Sequence, residues 1–320
     1  MFKKFFDNLF NCTSPSPHLM AEPQQTSPTS PKVLPEHDFY HYFGTVITDV
    51  FYFFRRIMKW CYRTQTRLTY FPYLPQFFDR ANEKIEAYIP CWRKLKFTSD
   101  GHIAFHIYRC FYSMMRDPEF YNLSKYDRNI LLWTILLHDI CKRGSPEICG
   151  RDPIHPFKSA WQSLHYFNDT FKFISLTKED LDEWDEIFAE GYVKKYHTEI
   201  QNHGILPKVK TFLDEKVKEN NFVKEIIYYV LLHQSMCTIS CFPHMSLLKP
   251  AEAEMPKYFD KRMFGLFRIF LRHDSFSYLI YYPEMRRKFG KEIDDNVKKL
   301  QGFMKDSLTV NEKPITIFEK

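Results

Sequence analysis

The chain has 320 residues, enough for one large domain or two small ones with a sizeable core. Its 9 glycines are scattered singly and no GxGxxG, GxxxxGK(S/T) or GxSxG occurs, so Rossmann, P-loop and α/β-hydrolase readings lose their sequence support. Lys plus Arg total 45 against 39 Asp plus Glu, and the resulting +6 permits anionic ligands but falls short of a dedicated nucleic-acid binder.

In chain order, the opening MFKKFFDNLF is too short and too charged for the apolar core of a signal peptide, and Pro and Ser follow it. From Cys12 to Glu36 the chain is Ser, Pro, Thr and Gln with few large apolar residues. Such a composition buries too little surface to offset chain entropy, so residues 1–37 are expected to form a disordered leader. The 8 cysteines are spread without a CxxC pair and read as reduced thiols of a cytoplasmic or other reducing intracellular compartment. The most apolar run, Tyr42 to Phe54, is interrupted by Asp49 and closes on Arg55 and Arg56. It is shorter than the roughly 18 residues of a spanning helix, and no transmembrane segment is expected.

Residues 38–95 place apolar side chains at helical spacing, as in Phe51, Phe54, Met58 and Cys61, with basic residues between them. Arg55, Arg56, Lys59, Arg63 and Arg67 occur there without an acidic residue. They read either as a weak contact for a membrane surface or nucleic acid, or as a solvated helix face. Ser99-Asp100 offers an N-cap. Beyond it the spacing predicts helices at 103–114, 130–142, 158–173, 176–188, 209–218, 223–236, 262–281 and 291–305. Thr177 begins a T-x-x-D start signal. No alternating run competes with these helices, so the predicted fold class is all-α.

The chemistry concentrates in ILLWTILLHDICK. Residues 130–137 are apolar on every face, which predicts a buried helix delivering His138 and Asp139 at its end. A buried carboxylate is costly unless it is paired or metal-bound. Neighbouring helical residues point about 100° apart, so both reach one ion only if other ligands arrive from elsewhere. The candidates are His106 on the preceding predicted helix, His155 in the following loop, His233 in YYVLLHQS and Asp274 in RIFLRHDSFS. Singly, each histidine also fits a hydrogen-bonded core position, and Asp274 also fits an ion pair with Arg268 or Arg272. Imidazole and carboxylate donors suit Mn, Fe, Co, Zn or Mg, one or two ions per chain. The lack of converging thiolates in the sequence argues against a Cys-type structural zinc.

Over roughly 96–290 these segments resemble the HD-domain metal-dependent phosphohydrolase superfamily. HIYRC at 106–110 is similar to its first-ligand helix and LLHDICK at 136–142 to its HD signature, with Cys141 where Gly is usual. IHPFKSA at 154–160, VLLHQS at 230–235 and FLRHDSFS at 270–277 are similar to its later histidine and aspartate segments. The resemblance implies a helical bundle that hydrolyses a phosphate ester, often of a nucleotide, with metal-activated hydroxide as the nucleophile. It implies a first ion on His106, His138, Asp139 and Asp274, and a second on His155 and His233 with Asp139 bridging. The 78 residues from His155 to His233 exceed the compact family pattern, which marks about 174–222 as an inserted helical segment. Residues 291–320 are expected to form a C-terminal helix and tail.

Lys142 and Arg143 are expected to neutralise phosphate oxygens, or else to serve the helix C-terminus. His102, four residues before His106, resembles the proton-donating histidine of cyclic nucleotide phosphodiesterases, or is a plain helix-start residue. Two other classes stay open: a di-iron oxygenase of the inositol oxygenase type, whose ligand order is similar, and a non-catalytic binding module on the same fold.

Overall fold

A computed structural model of the chain describes residues 34–64, 78–95, 97–98, 101–144, 152–189, 204–234, 252–278 and 283–301. Among them the fold is all-helical, with eleven α-helices and one antiparallel pairing of two-residue strands. In chain order these are α1 (Phe39–Thr64), α2 (Asp79–Glu86), β1 (Phe97–Thr98), β2 (Gly101–His102), α3 (Ile103–Met114), α4 (Pro118–Tyr121) and α5 (Lys125–Leu137). They continue with α6 (His155–His165), α7 (Lys178–Phe188), α8 (Ile205–Lys216), α9 (Asn221–Leu232), α10 (Lys261–Tyr278) and α11 (Pro283–Gln301).

The helix starts follow from local chemistry. The Ser124 hydroxyl accepts from Asp127 N ahead of α5, and Asn220 Oδ1 accepts from Val223 N ahead of α9. Thr177 and Asp180 form the reciprocal capping box expected of the T-x-x-D signal. The expected cap Ser99-Asp100 lies outside the described residues, and α3 is capped by His102 instead.

Because residues 130–137 of α5 are apolar on every face, this stretch has to be surrounded, and α1, α3, α6, α9 and α10 all pack on the helix. Trp133 on α5 is fully buried, its ring centroid 5.3 Å from Phe39, 5.7 Å from Phe43 and 4.6 Å from Phe171. Truncating such a residue to Ala costs about 3–5 kcal/mol. Its indole N–H donates to His37 O at 3.0 Å, and Phe39 N donates to Asn129 Oδ1 at 2.6 Å, so the start of α1 is bonded to α5. The described parts of 38–95 therefore share the core of the following helices. His37 is 3% exposed and stacks on Phe222 with centroids 4.5 Å apart. The boundary expected for the leader at 37 is thus slightly late: His37 already meets the core, residues 34–36 are exposed, and 1–33 lie outside the described residues.

Within 174–222, α7 packs on α6, and α8 packs on α7 through Trp184 and Phe212, centroids 4.9 Å apart. Arg55, Arg56 and Lys59 are exposed on α1, whereas the side chain of Arg63 and all of Arg67 lie outside the described residues. No described helix is long and apolar enough to cross a membrane.

Candidate metal centre

The α-helical ladder of α5 stops at Leu137, five residues before the expected end, and the His138-Asp139 pair occupies the turn that follows. His138 N still reaches Thr134 O at 3.0 Å, and Lys142 N bonds Asp139 O at 3.0 Å. The last carbonyls of a helix lack intrahelical partners. His138 turns its Nδ1 back onto one of them, Ile135 O, at 2.8 Å. His233 does the same at the end of α9, with Nδ1 2.7 Å from Val230 O. His155, the first residue of α6 and three residues earlier than expected for that helix, sets Nδ1 2.5 Å from Asp152 O. Carbonyls only accept, so each contact assigns the proton to Nδ1 and leaves Nε2 with a lone pair. On α3, His106 Nδ1 lies 2.7 Å from Ser277 Oγ, whose hydroxyl donates to Asp274 O at 2.6 Å, which assigns the His106 proton to Nδ1 as well.

All six residues expected as ligands converge in two adjoining groups. In the first, His106 Nε2 is 3.1 Å from His138 Nε2 and 3.0 Å from Asp274 Oδ1, and His138 Nε2 is 3.6 Å from Asp274 Oδ1. In the second, His155 Nε2 is 3.0 Å from His233 Nε2 and 2.8 Å from Asp139 Oδ1, with His233 Nε2 3.6 Å from the same oxygen. Asp139 joins them. Its other oxygen, Oδ2, lies 3.5 Å from His106 Nε2 and 3.7 Å from His138 Nε2.

Paired acceptors at these distances repel unless a cation stands among them. His155 is pushed down to about 4 by burial, so it is neutral at physiological pH. Asp139 Oδ1 is buried without a hydrogen-bond donor, since its nearest neighbour, His155 Nε2, carries no proton. Burial alone would raise the Asp139 carboxyl, but the Lys142 ammonium holds it well below the usual carboxylate range. The Asp274 carboxyl also lies low, although burial opposes it. Ionised carboxylates and lone-pair imidazoles, with outer contacts fixing the rings, are what a divalent ion requires of its ligands. The buried clusters therefore fit a metal ion on chemistry as well as spacing.

Lys142 Nζ sits 2.8 Å from Asp139 Oδ2. Arg143 is turned elsewhere: its Nε and Nη2 clamp Asp152 at 3.0 and 2.9 Å, and its backbone N adds a third bond at 2.9 Å. The expectation that Arg143 meets phosphate is therefore replaced by a structural pairing. His102 is not on the helix face of His106. At φ −72 and ψ 132 it precedes the helix as its cap, with Nδ1 accepting from Ala104 N at 3.2 Å. Its ring lines a small cavity with Phe78, Asn82, Phe105 and Tyr108, and burial lowers its pKa.

Two residues escaped the sequence reading. Asp152 orients His155 through its carbonyl while Arg143 holds its carboxylate, a contact with no periodic signal. Cys110 lies in the first group with Sγ 3.7 Å from His106 Nε2, and its signal was present, since residues four apart share a helix face.

No protein family, curated protein or solved structure matches this chain. Fold and site together define its class: an all-helical protein with buried His, Asp and Cys clusters able to hold a metal ion.

Proposed function

We propose that the chain is a metal-dependent phosphohydrolase of the HD-domain type, cleaving a phosphate ester of a nucleotide or related small molecule. The observation that carries this reading is the division of Asp139, one oxygen towards His106 and His138 and the other towards His155 and His233. A carboxylate shared between two ligand groups suits a pair of ions about 4 Å apart, the arrangement used for in-line displacement at phosphorus. Such ions supply Lewis acidity and lower the pKa of water towards about 7.

The chain's own residues do the rest. Each of the four histidines has its Nδ1 engaged by a carbonyl or a hydroxyl, which leaves Nε2 as the atom that faces an ion, and Asp139 keeps the two groups in register. Lys142, with 13% of its side chain exposed, is the cation able to exchange Asp139 for an incoming phosphate oxygen. The apolar residues of α5 behind the centre exclude water and strengthen each charge interaction.

The test combines metal analysis of the purified chain with phosphate release from a panel of linear nucleotides. Wild type is expected to hold divalent metal and release phosphate, and Asp139→Asn to lose both. Full metal occupancy in Asp139→Asn would overturn the site. Oxygen uptake without phosphate release would overturn the reaction class in favour of a di-iron oxygenase.

A further inference from the structure

We infer that Cys110 is a ligand of this centre, supplying a thiolate to the ion held by His106, His138 and Asp274. The inference rests on the proposed metal centre and adds a sulfur donor to it. Cys110 follows His106 by one helical turn on α3, is fully buried, and presents Sγ within 4.8 Å of the donor atoms of His106, His138 and Asp274.

Two spacings around His106 fit neighbouring ligands of one ion. Bond lengths of about 2.05 Å to nitrogen and about 2.3 Å to sulfur separate two nitrogens by about 3.3 Å and nitrogen from sulfur by about 3.6 Å. The structure has 3.1 Å between His106 and His138 and 3.7 Å between His106 and Cys110. The competing role for Cys110 is a small core residue making a weak S–H bond to the imidazole. Against it, the His106 nitrogen is already crowded by Asp274 at 3.0 Å and Asp139 at 3.5 Å, so the sulfur joins a space filled with electron pairs.

When a dication binds, a metal–sulfur bond forms as the S–H bond breaks, and the thiol proton passes to solvent, one per chain. The consequence is an unequal pair of positions. The first has a soft donor that favours zinc, cobalt or iron over magnesium and manganese, whereas the group of Asp139, His155 and His233 has only nitrogen and oxygen.

The experiment loads the full chain with cobalt(II), measures cobalt per chain, and records the near-ultraviolet sulfur-to-cobalt charge-transfer band. The band is expected in wild type and in Cys141→Ser, and is expected to vanish in Cys110→Ser while the visible cobalt bands persist. Because Cys110→Ser alters a buried position, the wild-type spectrum stands as an independent arm. Cobalt bound to wild type without the band would overturn the thiolate and leave the metal centre standing, whereas no cobalt bound would overturn both. A band that survives in Cys110→Ser, or disappears only in Cys141→Ser, would also overturn the assignment.

Discussion

His155 Nε2 and His233 Nε2 stand 3.0 Å apart although 78 residues separate them, and each ring has its Nδ1 turned to a backbone carbonyl three residues earlier. The first residue of α6 and the residue closing α9 are brought together because these two helices pack along each other beside α5. With Nδ1 of each ring turned to a carbonyl, the two Nε2 atoms are the ones left to face an ion between them.

Asp152 supports one side of that pair. Burial would raise its carboxyl, but the hydrogen bonds from Arg143 hold it below the ordinary range, and its carbonyl orients His155. Asp152→Asn is expected to weaken the Asp139–His155–His233 position by about 10- to 100-fold while the first position keeps its ion. Metal titration at limiting concentrations, with circular dichroism to monitor the fold, checks this. Unchanged affinity at both positions would reduce Asp152 to a clasp for the segment between it and Arg143.

Lys142 is the catalytic cation of the proposed reaction. Lys142→Ala should lower kcat/KM for phosphate release by about 10- to 100-fold, the loss of one charge-assisted bond, with metal content undiminished because the ammonium pairing Asp139 is gone. Lys142→Arg should recover only part of it, since a planar fork replaces a point charge. Kinetics unchanged in both variants would return Lys142 to an ion-pairing role.

His102 separates a capping residue from a proton donor. As the cap of α3 it contributes about 1 kcal/mol, so His102→Ala should lower Tm by a few degrees with metal content and kcat kept, and His102→Asn should restore the loss. A collapse of kcat at full metal occupancy would reinstate the proton-donor role suggested by the spacing of His102 and His106.

A pH effect arises away from the centre, on α9. Glu225 is 7% exposed, bonds Arg262 through one oxygen, and has its other oxygen buried without a hydrogen-bond partner. Burial pushes its carboxyl up from 4.5 to about 7, with the Arg262 charge opposing the rise. The folded protein therefore holds this proton between those values while the unfolded chain releases it. Stability falls as pH rises through that window, by up to about 3 kcal/mol from this group. Glu225→Gln removes the contribution, so its stability relative to wild type should grow from pH 4.5 towards pH 7 and level off above. Parallel urea titrations across that range read the difference directly, and a constant offset would show that Glu225 stays ionised when folded.

Much of this molecule is written in local pattern. The helix at 103–114 follows from its apolar spacing, the start of α7 from Thr177 and Asp180, and the burial of α5 from a run with no polar face. Five of the six donors were legible because they adjoin apolar helical stretches that have to be inside, whereas His155 stood in a predicted loop. What the sequence leaves open is where helical ladders stop and which ends meet. Apolar spacing predicts α5 as far as Lys142, but the helix yields at Leu137, where the His138 ring takes up the Ile135 carbonyl, and periodicity does not record a side chain bonding a main-chain group. The same gap hid Asp152, which acts through its carbonyl, and misassigned His102, whose extended backbone takes it off the face that a four-residue spacing implies. Cys110 stood one turn from His106 all along, yet a single cysteine in an apolar helix reads as core. Only the packing of α3 against α10 brings Asp274 to the same space and turns that core position into part of a ligand group, because donor convergence depends on distances between helices, which no single segment carries.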